Sequence, residues 1–361
     1  MGIKQKRMTG SIRKTVILNP DLLGDLRGLI INARERVAQQ INSELVLLYW
    51  NIGRRIRQDV LKERRADYGE QIVSALSSQL RLEFGPGFSD KNIRHMMRFA
   101  EVFPDGQIVS ALRRQLGWTH FKMIIYLDDP LKRSFYTEMC RIERWSTRTL
   151  ENKINHCLYE RTAVARKPRV LIEHEIRSLR ESDKLTPDLV FRDPYFLDFL
   201  RLRDGFIEKD IEDAIMREME EFILELGDGF TFVSRQKRIT VDDEDYYLDL
   251  LFYHRKLKRL VAIDLKLGKF QASYKGQMEL YLRWLDKYER QKGEEEPIGL
   301  ILCAGKSDHH VQLLELDKGN IRVAAYMTDL PAKELLEKKL MESLTIARER
   351  MHRKHLAEKS Q

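Results

Sequence analysis

Residues 246–268 read YYLDLLFYHRKLKRLVAIDLKLG, two apolar runs around a basic turn, and each run carries an acid where a hydrophobe belongs: Asp249 in the first, Asp264 in the second. Aromatic and aliphatic residues favour extended structure, and the short turn around Lys256 and Leu257 makes an antiparallel hairpin the natural reading. With those two residues at the tip, Asp249 and Asp264 fall directly opposite each other. Side chains alternate along a strand, so Lys266 shares their face. Leu248, Leu250, Phe252, Val261, Ile263 and Leu265 form the other face, packed under helices.

Two facing carboxylates repel, and on half-buried strands water screens the repulsion poorly, so a positive charge is expected between them. Oxygen ligands with open positions suit Mg2+ or Mn2+, which keep several waters and share phosphate oxygens with a substrate. Asp249 and Asp264 are therefore the candidate metal ligands, with the Leu265 carbonyl assisting. Lys266 is placed to orient an attacking water and to stabilise charge growing on a phosphate. The combination reads as a phosphodiester-cleaving site. The acid-x-Lys spacing alone is weak, because Glu151–Lys153 and Glu337–Lys339 repeat it within helical patterns. An Asp–Lys bridge at a strand end is the structural alternative. Pro187–Asp188 is set aside because no acid-x-Lys follows it closely.

Around the hairpin, a helix over 209–226, strands at 230–240, 246–254 and 259–267, a helix at 272–289 and a strand at 298–305 are expected. A helix at 308–316, a strand at 321–328 and a long charged helix from Pro331 follow. This describes an α/β domain with a mixed central sheet over 206–340 and a charged C-terminal helix over 341–361. Residues 166–205 mix charges with Pro168, Pro187 and Pro194 and are expected to connect it to the first half. Residues 20–165 are helical in period throughout, with no convincing strand. The fold class is α+β in two domains, the first all helical.

Charge divides the same way. Residues 1–170 hold 31 Lys/Arg against 18 Asp/Glu, a balance of +13, and residues 171–361 hold 33 against 38, a balance of −5, which together give the net +8. A basic domain followed by a mildly acidic one fits a polyanion-binding module joined to one that holds cations. Arg54, Arg55, Arg57, Lys62, Arg64 and Arg65 crowd within about three turns of helix. In EQIVSALSSQLRLEFGPGFSDKNIRHMMRFAEVF, residues 70–103, a helix ends at Gly85 and Ser89 caps the next. Ile93, Met96, Met97 and Ala100 face inward there, leaving Lys91, Asn92, Arg94, His95 and Arg98 to meet DNA in a helix-turn-helix, or to decorate an ordinary capped hairpin. RIERWSTRTLENKI repeats the idea with Arg148 and Lys153 exposed. Tyr49, Trp50 and Trp118 have core spacing. Three scattered cysteines support neither a disulfide framework nor a zinc cluster. No run approaches a membrane span and no secretory signal is present, so the cytoplasm is the expected location and no membrane partner is expected.

The succession of helix, strand with Asp249, strand with Asp264–Leu265–Lys266, and helix with Gln277 and Tyr281 in GQMELYL resembles the PD-(D/E)xK nuclease superfamily, including the QxxxY helix of some of its branches. More closely, FILELGDGFTFVSRQKRI, the hairpin and GLILC resemble the YhcG-like family of predicted bacterial nucleases. LYWNIGRRI, YGEQIVSALSSQL, FSDKNIRHMMRF, QLGWTHF and WSTRTLENKI resemble that family's helical N-terminal domain. The resemblance covers residues 40–340 and implies a restriction-endonuclease-like second domain and a metal-dependent DNA endonuclease. It also implies that Gln277 and Tyr281 border Lys266 and the nucleic-acid backbone, and that an acid on the first core helix joins the site. Glu212, Glu220 and Glu225 are the candidates for that acid, and spacing does not choose among them. Arg235 and Gln236 either touch phosphate or flank the sheet. The chain departs from the superfamily pattern in Leu248 before the first aspartate, where Pro is usual, and in Asp264, where Glu is commoner; neither removes a ligand oxygen. Duplex or branched DNA is the expected substrate, with a homodimer as one way to cut both strands. The alternative is a DNA-binding or recombination-associated scaffold that does not cut, and nothing marks the chain as RNA-binding.

Overall fold

The computed structural model describes residues 20–62, 66–202, 205–316 and 319–359. Contacts divide the chain into two compact units, 1–122 and 123–361.

The first unit is built from α1 (Pro20–Lys62), α2 (Ala66–Phe84), α3 (Asp90–Val102) and α4 (Gly106–Leu112), with α5 (Trp118–Ile124) starting at its end. No strand occurs among its described residues. Ile56, Val73 and Ile93 make one core cluster, with Ile52, Leu76, Leu80 and Met97 packed on it. Trp50 is buried and donates its indole N–H to the Phe103 carbonyl at 2.7 Å, and Tyr49 and Trp118 pack in an edge-on aromatic group that also includes Phe99, in keeping with the core spacing of Tyr49, Trp50 and Trp118. α1 and α3 approach so closely at Gly53 that a Cβ there would lie 1.9 Å from the Met96 carbonyl oxygen. Only glycine permits that backbone contact.

The second unit begins with α6 (Pro130–Glu143), α7 (Thr147–Asn155), α8 (Leu158–Arg161), α9 (Arg169–Ser182) and α10 (Pro187–Val190). Then come β1 (Tyr195–Phe196), α11 (Glu208–Arg217), α12 (Met219–Leu226), β2 (Phe230–Val241), β3 (Glu244–His254), β4 (Arg259–Lys269) and α13 (Ser273–Tyr288). β5 (Ile298–Gly305), α14 (Asp308–Leu313), β6 (Ile321–Met327) and α15 (Lys333–Lys359) complete it. The six-stranded sheet runs β1-β6-β5-β4-β3-β2. Its β2–β4 half is an antiparallel meander and the other half is parallel. β5 reads IGLILCAG and is buried for most of its length, because a parallel strand covered on both faces has no solvent side to alternate with. Among the described residues no helix is long and apolar enough to cross a membrane.

Of residues 166–205, expected as a connection, the described stretch 166–202 is folded into this unit instead. α9 buries Ile172, Ile176 and Leu179, and β1 is the sheet's outer strand beside β6. Two of the prolines that suggested a linker sit at helix starts: Pro168 precedes α9 and Pro187 opens α10, where a missing N–H costs nothing. The helix expected over 209–226 is two helices, broken at Glu218 (φ −107°, ψ 37°).

Candidate active site

The hairpin holds the register its turn chemistry implied. His254 pairs with Arg259 across the tip, and the ladder runs back through Phe252–Val261 to Leu250–Ile263, which places Asp249 and Asp264 opposite each other one step beyond the last pair. There the side chain takes over from the backbone, and the Asp249 Oδ2 accepts the Leu265 N–H at 2.8 Å.

Strand alternation does not survive this point. On β2, Arg235 reaches Glu212 and Asp213 of α11, yet Lys237, two residues on, bonds Glu289 at 2.6 Å and lies over the Trp284 ring of α13. A regular strand puts such residues on one face. The flip falls at Gln236, whose φ is 47°. β3 turns with it: Leu248, expected beside Leu250 and Phe252, belongs to the core under α13 with Leu251 and Ala262, whereas Phe252 meets Phe222 of α12. The site forms where β2 and β3 change face.

Around Asp249 the groups are close-set. Gln236 Nε2 donates to Asp249 Oδ1 at 3.2 Å and to Glu212 Oε2 at 2.9 Å. Asp264 is buried and its Oδ2 meets Lys266 Nζ at 2.9 Å, while that ammonium also lies 5.2 Å from the Tyr274 ring centre. Glu208 Oε1 accepts the Leu267 N–H at 3.2 Å. Tyr281, buried, receives a hydrogen bond from Gln277 Nε2 at 2.6 Å and donates to the Tyr247 carbonyl at 3.1 Å.

Electrostatics follow from this crowding. Burial pushes the Asp249 carboxyl up to about 6, with the charges of Asp264 and Glu212 adding to the effect and the Leu265 N–H and Lys266 opposing it. Asp264 is raised by burial too, against the pull of Lys266. Burial pulls Lys266 down, but Asp264, Asp249 and Glu208 outweigh it and hold its pKa above the ordinary lysine value. Burial and both aspartates raise Tyr281. Five carboxyl groups (Glu208, Glu212, Asp213, Asp249, Asp264) face two cations (Lys266, Arg235). This is an excess of negative charge that favours binding a cation. Among the described residues no three His, Cys, Asp or Glu side chains cluster as a ready-made metal cage. Two carboxylates and a carbonyl instead suit a hard ion that keeps its own waters.

Of the three acids considered on the first core helix, Glu212 reaches the site through Gln236. Glu220 lies on α12 beyond the break and is exposed, so it does not join. Glu225 is taken by Arg161 at 2.5 Å, Arg192 at 3.2 Å and the Phe196 N–H at 2.8 Å. Arg235, expected against phosphate, is held by Glu212 and Asp213 and braces the acids. Asp188 pairs with Lys167 and Arg322 instead of joining the hairpin. Glu208 was missed because the helix was read to start at Lys209, which left this acid outside it, whereas α11 begins at Glu208 itself.

In the first unit α2, the Gly85 turn and α3 form as read, with Ser89 Oγ accepting the Asn92 N–H at 3.4 Å. Lys91 and Arg94 are exposed, and His95 is half-buried with its pKa lowered by burial, Lys122 and Lys91. Arg94 pairs with Asp90 at 2.8 Å, Arg98 with Glu101 at 3.1 Å and Arg55 with Asp59 at 2.6 Å, while Arg54 lies 5.1 Å from the Trp50 ring centre. Arg64, Arg65 and the side chain of Lys62 lie outside the described residues. In the second unit Lys153, expected exposed, is drawn to the Leu224 carbonyl at 3.5 Å, and burial lowers its pKa to about 8.

Two family descriptions match the chain: the DUF1016 N-terminal domain over residues 25–161 and the YhcG PDDEXK nuclease domain over 188–344. The protein named "Putative nuclease YhcG" of Escherichia coli (strain K12) is 32% identical over 358 residues, covering 90% of this chain and 94% of that one. A repair endonuclease from Pyrococcus abyssi, known as a crystal structure, is 19% identical with a TM-score of 0.25. That match covers 36% of this chain and 50% of the Pyrococcus chain.

Proposed function

This chain belongs to the YhcG family and carries its PDDEXK nuclease domain, and on that premise we propose that it is a metal-dependent DNA endonuclease acting in the cytoplasm. The observation that carries the reading is the meeting of Asp249, Asp264 and Lys266 where β3 and β4 part, inside an excess of carboxylates. Asp249, Asp264 and the Leu265 carbonyl would hold Mg2+ or Mn2+, with Glu212 alongside. Such an ion, when bound, polarises the scissile phosphate and offsets the carboxylate charge.

Lys266 stays protonated at neutral pH, so it acts as a hydrogen-bond donor and a fixed positive charge. It orients the attacking water and steadies the charge that grows on the phosphate as the P–O bond breaks. Gln277, anchored through Tyr281, borders Lys266 and meets the nucleic-acid backbone. DNA, duplex or branched, is gripped by Lys91, Arg94, His95 and Arg98 of α3 and by Arg54 and Arg55 of α1. Arg55, Arg94 and Arg98 trade surface ion pairs for phosphate, a cheap exchange because such pairs contribute about 0–1 kcal/mol each. A homodimer would cut both strands of a duplex.

The test is plasmid nicking by purified wild type, Asp264→Ala and Lys266→Ala in Mg2+ and Mn2+. Wild type is expected to nick, and each variant to lose roughly 100-fold or more. Undiminished metal-dependent cleavage by both variants would refute the proposal. Tight DNA binding by a wild type that cuts no duplex, branched or single-stranded DNA would establish the scaffold reading in its place.

A further inference from the structure

We infer that Gln236 is the residue that sets the geometry of the acidic site: a positioning residue whose single amide nitrogen fixes Glu212 against Asp249. The inference rests on the metal-dependent reading above. Its backbone is the first observation. A φ of 47° within a twelve-residue strand is left-handed, where residues with a Cβ are strained and where glycine or asparagine would be the easier choice. The chain keeps a long amide there all the same.

The hydrogen bonds give the reason. A primary amide has two N–H donors, and Gln236 Nε2 contacts Glu212 Oε2 at 2.9 Å and Asp249 Oδ1 at 3.2 Å, joining α11 to β3. The change of face between Arg235 and Lys237 turns this residue toward the junction of helix and sheet. Charge explains the choice of side chain. Lys or Arg would also gather two carboxylates, but would cancel the negative charge that attracts a cation; a neutral amide draws them together and leaves it intact. Arg235 supports the arrangement from the far oxygen of Glu212.

The experiment uses the full chain as wild type, Gln236→Gly and Gln236→Asn. Glycine and asparagine both accept the backbone; glycine has no amide and asparagine is one methylene short of the span. Mn2+ affinity is measured by calorimetry without DNA, thermal melting is measured without metal, and plasmid nicking is measured alongside. Both variants are expected to melt within a few degrees of wild type, relief of strain offsetting two lost hydrogen bonds. They are expected to bind Mn2+ roughly 10- to 100-fold more weakly, with nicking reduced in step. Unchanged Mn2+ affinity in both variants overturns this inference alone. Melting far below wild type overturns it as well, because the residue is then part of the structure's support. A wild type that binds no Mn2+ overturns both this inference and the metal-dependent reading.

Discussion

Replacing Gly53 with alanine sets two effects of opposite sign against each other. Glycine in a helix interior costs about 1 kcal/mol relative to alanine, so propensity alone predicts that Gly53→Ala stabilises α1. The crossing with α3 predicts the reverse. The new Cβ would lie 1.9 Å from the Met96 oxygen, 2.3 Å from its carbonyl carbon and 2.9 Å from the Met97 nitrogen, whereas real Cβ contacts essentially never fall under 3.0 Å. The nearest contact is 1.1 Å short, and the obstructing atoms are helix backbone, which no rotamer change can move. α1 and α3 must separate by about 1 Å, and a gap of that size forfeits a quarter to a half of each dispersion contact along the seam. Overpacking of this kind costs about 1–3 kcal/mol and reaches the upper end where backbone is the obstacle. With the propensity gain subtracted, a net loss of about 2 kcal/mol remains, or about 10 °C for a unit of this size. Circular-dichroism melting of the full chain reads it out, with Gly28→Ala as the control: the same helix, nothing within 4 Å of the added Cβ, and a small rise expected. If Gly53→Ala melts at or above wild type, the described crossing of α1 and α3 is wrong.

Asp249→Asn should stabilise the metal-free protein at pH 7–8. The Asp249 pKa is raised, so the folded state prefers the protonated acid, and this group's contribution to stability falls as pH rises from the unfolded value toward about 6 and stays low above it. The full cost is about 3 kcal/mol, so the two melting curves should converge near pH 4 and part above pH 6. His254 works in the opposite direction. It is buried, accepts the Leu257 N–H at 3.0 Å and has its pKa lowered to about 4, so its contribution is present above pH 6.5 and is lost as pH falls toward 4. Wild-type stability should therefore drop on that descent by about 3 kcal/mol from this group, and the drop should flatten in His254→Gln. Glu225→Ala leaves Arg161 and Arg192 buried without their acid and should cost about 3–5 kcal/mol in a denaturant titration; a loss under 1 kcal/mol would contradict the buried pairing.

The hairpin register was legible because a turn centred on Lys256 and Leu257 and two strongly apolar runs leave one alignment that buries them. The reversal of faces at Gln236 was not. Ser234 through Arg238 are polar at every position, so no alternation in the sequence says which side each residue serves. Choosing Glu212 over Glu220 required the break at Glu218, and MREMEEF contains neither proline nor glycine to announce it. Arg235 looked like a phosphate contact because its acidic partners sit more than twenty residues earlier, on another element.

Arg161 carries a consequence for how such chains are recombined. It closes the stretch that matches the N-terminal family description, yet it is buried against Glu225 and stacks 3.6 Å from the Phe196 ring centre, inside the nuclease unit. A gene fusion that swapped N-terminal domains at the family boundary would separate the two partners of a buried ionic contact. Exchange near residue 122 would leave α6 to α8 with the sheet they brace, so lineages that trade N-terminal halves should show their crossovers upstream of α6.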